Sequence, residues 1–425
     1  MNTPQSIAAR LAKPVAIFGT GVSGLAAARL VESAGGVPTL YDERGSGDIC
    51  RSFGADEAAR HELAIYSPGF PQRHPWLLAA RRAGVLCLGE LDFASLFWKS
   101  PIVAVTGTNG KTTLTEFLVF AHKRAGREAV ATGNIGYPLS RIFELGGNRM
   151  PLPVCEVSSF QSEDLRHFAP TALLWTNFAE DHLNRHGDLE TYFRAKYKLV
   201  ERLAGRRLIV GESVAEFAKK FGLPLPAFTE VATRAEVAGK TPPDSVFATF
   251  PQRENYALAR RYWLAEGLPE RALEEAAQVF APAGHRLEKV AVCDGVTYWD
   301  DSKATNFHAV LAALEALRGD VCWIGGGRSK GGDLAAFVEK VAARAKAVFL
   351  IGETAPELFV CFQEKGVQGA VFKKLPDAVR AARAVAKSGD SVLLSPGFAS
   401  FDMFRDYAER GLIFEQTVRA FRETR

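Results

Sequence analysis

The chain has 425 residues, 47% apolar and 24% charged, with a formal net charge of +4. That length exceeds what one hydrophobic core usually organises, so two or three domains are expected. The scattered lysines and arginines argue against a nucleic-acid partner but tolerate a polyanionic small substrate.

No apolar run approaches bilayer length, and no basic-then-apolar leader opens the chain, so a cytoplasmic protein without membrane attachment is expected. The six cysteines (Cys50, Cys87, Cys155, Cys293, Cys322, Cys361) show no C-x-x-C spacing and read as buried thiols rather than disulfides or zinc ligands.

The first element expected is a strand, Val15-Ala-Ile-Phe18, which opens into Gly19-Thr-Gly-Val-Ser-Gly24 and an Ala/Leu-rich helix. Glycines at such a turn let the backbone approach a diphosphate at a helix N-terminus, and Asp42, ending the next strand, is placed to meet a ribose hydroxyl. The loop alone does not distinguish NAD from another nucleotide diphosphate, and a tight turn with no ligand is the plain alternative.

A second strand, Ile102-Val-Ala-Val-Thr106, leads into Gly107-Thr-Asn-Gly-Lys-Thr-Thr113 and a helix through about Ala125. Backbone N–H groups here can cradle phosphates, Lys111 can neutralise the β/γ oxygens, and the Thr112 hydroxyl can reach Mg²⁺. The loop departs from G-x-x-x-x-G-K-[ST] in having Val105 at the first glycine position.

Glu156 follows an apolar run and His182 follows the strand-like Leu173-Leu-Trp-Thr-Asn177, which puts both beyond strand C-terminal ends, where open α/β sheets bind ligands. Taken singly, Asp181-His182 reads as a helix cap and Lys196 as a solvated helix lysine. The stretch from about Gly205 to Glu254 has mixed periodicity and yields no clear element.

After about Ala283, Val290 to Asp300 reads as a hairpin with an Asp294-Gly295 turn. Strand-like runs recur at Val321-Cys-Trp-Ile324, Ala347 to Ile351 and Ser391-Val-Leu-Leu394. The expected architecture is α/β in three domains, residues 1–98, 99–283 and 284–425.

Seven ordered motifs then carry a resemblance. Gly107-Thr-Asn-Gly-Lys-Thr, Gly133-Asn-Ile-Gly136, Glu156-Val-Ser-Ser-Phe-Gln161, Asn177-Phe-Ala-Glu-Asp-His182, His285-Arg286, Asp301-Ser-Lys-Ala-Thr-Asn306 and Ser395-Pro-Gly-Phe-Ala-Ser-Phe-Asp402 resemble those of the Mur ligases of peptidoglycan synthesis. The match spans nearly the whole chain. It implies an N-terminal Rossmann-like domain holding a UDP-sugar, a central P-loop ATPase-like domain, and a C-terminal Rossmann-like domain that brings an amino acid. The last two motifs, with Ser67-Pro-Gly69 and Gly89-Glu90, resemble the member that joins D-glutamate to UDP-N-acetylmuramoyl-L-alanine.

The resemblance also implies roles. Gly19, Thr20, Gly21, Ser23, Gly24, Asp42, Ser67, Gly69 and Asn134 would face the UDP-sugar. ATP would meet Gly107, Thr108, Asn109, Gly110, Lys111, Thr112, Thr113, Asn255, His285, Arg286 and Asp301. Thr112, Glu156, His182 and Lys196, the last as a carbamate, would hold two Mg²⁺ ions. Lys111, His182, Lys196 and Lys303 would be catalytic, and Thr305, Lys330, Ser400 and Tyr407 would bind D-glutamate. A monomer is expected.

Asn184, Gly397-Phe398 and Tyr407 depart from the family pattern, where Asp, smaller residues and Phe are usual. The competing readings are a ligase for another amino acid, a folylpolyglutamate synthase-like enzyme, an NAD(P)-dependent oxidoreductase, and a binding protein that lost turnover. Against the diamino-acid-adding relatives, residues 284–425 contain no Asp-Asn-Pro-Arg.

Overall fold

The computed structural model describes residues 4–145 and 150–423. Its strands form three sheets, each drawn from one stretch of sequence. The first contains β1 (Val15–Phe18), β2 (Pro38–Tyr41), β3 (Leu63–Tyr66) and β4 (Leu86–Gly89), all parallel, in the order β2-β1-β3-β4. Strands β1 and β3 are buried at every position, so they read as continuous apolar runs rather than alternating ones. The chain reverses its direction of travel across the sheet between β1 and β3, and the first glycine loop lies at that switch point.

The second sheet contains β5 (Val103–Thr106), β6 (Ala129–Gly133), β7 (Leu152–Glu156), β8 (Ala172–Trp175), β9 (Arg207–Gly211) and β10 (Thr229–Ala232). Its order is β10-β9-β8-β5-β7-β6, so β5 is central and flanked by β7 and β8. The stretch that sequence left unassigned holds β9, the helix Glu212–Lys220, β10 and two 3₁₀ turns. Strand β9 is buried and the helix turns Val214 and Ala218 inward, so the sequence carried a signal there; the half-buried edge strand β10 and the short 3₁₀ turns give little periodic signal.

The third sheet contains β11 (Glu288–Cys293), β12 (Val296–Asp300), β13 (Val321–Gly325), β14 (Ala345–Ile351), β15 (Gln368–Phe372) and β16 (Ser391–Leu394), ordered β11-β12-β16-β13-β14-β15. The hairpin forms as expected: β11 and β12 are antiparallel, and Asp294 and Gly295 both take positive φ, at 54° and 77°, which a two-residue turn of this kind requires. Every other pairing is parallel. Strand β15 escaped the sequence reading because it is a mostly exposed edge with only Ala370, Val371 and Phe372 as apolar residues.

Two compact units result. One comprises Met1–Asn177, Phe193–Glu236 and Tyr256–Gln278 and carries the first two sheets; the other comprises Phe178–Tyr192, Val237–Asn255 and Val279–Arg425 and carries the third. Within the first unit, buried carboxylates join the two sheets' segments. Asp92 accepts the backbone N–H groups of Arg166, His167 and Phe168 at 2.7–3.1 Å, and Glu90 accepts that of Ser140 at 2.7 Å. Burial holds the Glu90 carboxyl above the usual range. Arg81–Asp164 pairs at 2.9 Å in a half-buried position, whereas Arg29–Glu144, at 2.7 Å, is exposed and contributes little by comparison.

Four of the six cysteines are buried, Cys361 is half-buried and Cys50 is exposed; all six are free thiols. Among the described residues, no helix is long and apolar enough to cross a membrane.

Candidate nucleotide and ligation site

Strand β5 ends at Thr106, and the chain turns through Gly107 and Gly110 into the helix Lys111–Arg124. Gly107 has φ +146°, and a Cβ there would lie 1.9 Å from Thr176 Oγ1, so no side chain fits without moving the neighbouring strand end. Gly110 caps the helix at φ 81°. Strand β8 supplies the support: Thr108 N donates to Asn177 O at 3.0 Å, Asn109 N donates to Asn177 Oδ1 at 2.9 Å, and Thr176 Oγ1 donates to Asn109 O at 2.6 Å. Lys111 Nζ donates to the Gly107 and Thr108 carbonyls at 3.0 and 2.9 Å, which lays its charge along the loop. Thr112 and Thr113 stand in the first helical turn, Thr113 buried. Thr176 and Asn177 were not among the expected site residues, although Asn177 opens one of the motifs.

Glu156 ends β7, beside β5, and is 1% exposed. Asn134 Nδ2 donates to Glu156 Oε1 at 2.7 Å, whereas Glu156 Oε2 is buried without a hydrogen-bond partner. A buried carboxylate oxygen with an open lone pair suits a hard cation, so the residue fits the metal role expected of it. Lys196, on the helix Leu189–Glu201, is also 1% exposed; its Nζ donates to Gly107 O at 2.8 Å. It is therefore no solvated helix lysine, and it reaches the Gly107 loop itself.

In the second unit, His182 has positive φ (54°) and begins the short helix Leu183–His186. The neighbouring Asp181 is a hub rather than a cap. Its Oδ1 lies 3.3 Å from Lys330 Nζ, its Oδ2 accepts Asn306 Nδ2 at 3.0 Å, and His182 Nε2 lies 3.6 Å from Oδ2. Lys330 Nζ is also 3.2 Å from Thr305 Oγ1. The loops after β13 and β16 pair through Arg328 and Ala399, which brings the segment of Ser400 beside that of Lys330. Ser400 is buried and caps no helix, since the next one begins at Tyr407. Thr305, Lys330 and Ser400 thus lie on adjoining loops; Asp181, read from sequence as part of a helix cap, and Asn306, given no role there, tie the Lys330 loop to the Thr305 loop.

The β12 end builds a further group. Asp301 is buried; its Oδ1 accepts Leu287 N at 3.0 Å and its Oδ2 accepts Ser395 Oγ at 2.7 Å. Burial outweighs these bonds and pushes its carboxyl up to about 7. Lys303 N donates to His285 O at 3.0 Å, and Lys303 Nζ sits 3.7 Å from the centre of the Tyr407 ring, a cation–π contact. The buried Arg410 donates to Ser302 Oγ at 3.0 Å, Ser302 O at 2.7 Å and Phe398 O at 3.3 Å. Ser302 Oγ donates to Tyr407 O at 2.7 Å, so the β12 loop and the last helix are one network. Arg286 is half-buried and donates to Ala283 O, and Asn255 Nδ2 donates to Gln252 Oε1 at 2.7 Å.

At the first glycine loop, a Cβ on Gly24 would meet Gly19 O at 1.8 Å, which shows how closely the helix Val22–Ser33 seats on the turn. Asp42 accepts Thr20 N and Thr20 Oγ1 at 2.9 and 2.8 Å and Arg44 N at 3.0 Å; these bonds, Thr20 N first, hold its carboxyl below the ordinary value. The carboxylate thus braces the loop, a use that the dinucleotide reading of Asp42 did not foresee. Ser67 Oγ is buried and unpartnered near Gly19, Ser23 is half-buried, and Gly21 and Gly69 have open space around them.

A glycine-lysine loop on a central parallel strand, an open-sided buried carboxylate beside it, and a separate α/β sheet whose loops carry Lys303 and Lys330 are parts that a nucleotide-dependent ligase would need. The chain belongs to the Mur ligase family: models described as the Mur ligase middle domain and the Mur ligase glutamate ligase domain match residues 105–223 and 285–398. Its curated relatives include proteins named UDP-N-acetylmuramoylalanine--D-glutamate ligase. The one from Nitrosococcus oceani is 33% identical over 95% of this chain and 96% of its own, and the one from Desulfotalea psychrophila is 36% identical over 95% of each. Among solved structures, UDP-N-acetylmuramate-alanine ligase of Thermotoga maritima shares the fold at TM-score 0.60 and 18% identity, covering 97% of this chain and all of that one. The protein is accordingly an ATP-dependent ligase that forms carbon–nitrogen bonds in peptidoglycan precursor synthesis.

Proposed function

We propose that the protein joins D-glutamate to UDP-N-acetylmuramoyl-L-alanine in the cytoplasm, with the site residues named above in the roles the family implies. The observation that carries this reading is the identity of about one third, over nearly the full length, to ligases of that name. A carboxylate is a poor electrophile, so the substrate carboxylate first displaces ADP from the γ-phosphate, giving an acyl phosphate. The amine of D-glutamate then adds to the acyl carbon, and the tetrahedral intermediate expels inorganic phosphate.

Two anions meet in the first step, so positive charge at the phosphates is the main catalytic need. Lys111 and the loop amides hold the β/γ phosphates, Asn255, His285, Arg286 and Asp301 hold the rest of the nucleotide, and Lys303 meets the transferring phosphoryl group. Thr112, Glu156, His182 and carbamylated Lys196 would hold two Mg²⁺ ions, which supply charge neutralisation when bound. Asn134 serves the UDP-sugar and, through its bond to Glu156, the orientation of that carboxylate.

D-Glutamate carries two carboxylates and needs separated donors: Lys330 and Thr305 for one, Ser400 and a backbone N–H near Tyr407 for the other. Loss of a charge-assisted hydrogen bond costs about 1.5–3 kcal/mol, so Lys330→Ala should raise the KM for D-glutamate roughly ten- to a hundredfold while the KM for ATP changes little. The reaction itself is tested by phosphate release with UDP-N-acetylmuramoyl-L-alanine against a panel of D- and L-amino acids. Release with D-glutamate alone is expected; preference for L-alanine or a diamino acid would refute the substrate assignment.

A further inference from the structure

His285 stands in a left-handed backbone turn (φ 64°), an unusual conformation for a residue with a side chain. Two acids from different elements grip its ring. Nδ1 lies 2.6 Å from Asp300 Oδ2, at the end of β12, and 3.6 Å from Glu415 Oε1, on the helix Tyr407–Glu423. Asp300 is fully buried, and its second oxygen accepts Ser302 N at 2.8 Å. The packing around the group is closed: a Cβ on Gly411 would lie 2.2 Å from His285 Nδ1 and 2.8 Å from Asp300 Oδ2. The His285 carbonyl accepts the Lys303 N–H, and the Lys303 ammonium rests on Tyr407, whose carbonyl accepts Ser302 Oγ. His285 is therefore the residue that ties together β12 and the last helix, through its ring, and the Lys303 loop, through its carbonyl.

We propose that Asp300 and Glu415 are positioning residues for nucleotide turnover, holding His285 so that its own nucleotide contact and the Lys303 ammonium are set together. This rests on the nucleotide roles of His285 and Lys303 proposed above. The other charged groups facing the cluster are Glu288, whose carboxylate accepts His285 N at 3.2 Å, and Arg419, which pairs with Glu415 at 2.9 Å; Asp301 and Arg410 lie behind Asp300.

Burial pushes both the Asp300 and the Glu415 carboxyls up, and in Glu415 the nearby Asp300 and Glu288 charges push the same way. As pH falls, these groups take up protons above the ordinary carboxylate range, and Asp300 then loses the anionic oxygen that grips Nδ1. The acid limb of kcat/KM for ATP should follow that event. Removing the Glu415 charge relieves repulsion on Asp300, so the limb should move to lower pH.

The test uses the full-length protein. Asp300→Asn should raise the KM for ATP about tenfold with a smaller change in kcat, as expected for weakening one charge-assisted hydrogen bond. Glu415→Gln should raise it less, by roughly threefold, and move the acid limb down by about half a pH unit, the size of effect a partly screened neighbouring charge exerts. The KM for D-glutamate should change in neither variant. Titration with ADP alone gives an independent readout, because it needs no turnover; weakened ADP binding in Asp300→Asn supports the proposal even if the assigned reaction proves wrong. Wild-type KM for ATP, ADP affinity and pH profile in both variants, whatever their melting temperatures, would overturn it.

Discussion

Lys111→Ala should leave a folded protein whose kcat is lower by about two to four orders of magnitude, the range found when a positioned charge is removed from a developing anionic transition state. The Lys111 Nζ donates to the Gly107 and Thr108 carbonyls, so its loss removes two contacts to neutral loop oxygens. Folding should therefore suffer far less than turnover. Single-turnover phosphate release, with circular dichroism as the control, separates the two. Near-normal turnover would remove the phosphate-loop assignment.

Lys196→Ala should be comparably severe, by about a hundredfold or more in kcat, if the side chain serves as a carbamate supplying oxygens to a cation. Its place at 1% exposure, with Nζ 2.8 Å from the Gly107 carbonyl, puts any group on that nitrogen beside the phosphate loop. Wild-type activity should fall when CO₂ is stripped from the buffer and recover with bicarbonate, and a small carboxylate should partly restore the alanine variant. Indifference to CO₂ together with full activity of Lys196→Ala would mean that the residue is a packing element.

The parts legible in the sequence were those whose signal is local. A glycine loop between a buried strand and a helix is written in consecutive residues, and so were the Gly19 and Gly107 turns and the Asp294-Gly295 hairpin. Thr176 and Asn177 are different: they matter because β8 lies next to β5, a neighbour relation set some seventy residues away. Asp181 likewise reads as a helix cap from its local context, and only the fold places it against Lys330 and Asn306. Strands β15 and β10 lack a period because their faces are half exposed. Lys196 shows the same limit from the other side, since nothing in Tyr192-Phe-Arg-Ala-Lys-Tyr197 says that it is buried.

The carboxylate of Asp92 has a thermodynamic meaning of its own. By gathering three consecutive backbone N–H groups from residues 166–168, it fastens the segment after β4 to that after β7, while Glu90 fastens a second point at Ser140. A ligand lying across the first two sheets would then meet walls whose relative freedom was already surrendered when the chain folded. The entropy of assembling that cleft is not charged to the binding step. Loosening the latch by Asp92→Asn should accordingly show itself in calorimetry of UDP-sugar binding as a more unfavourable entropy.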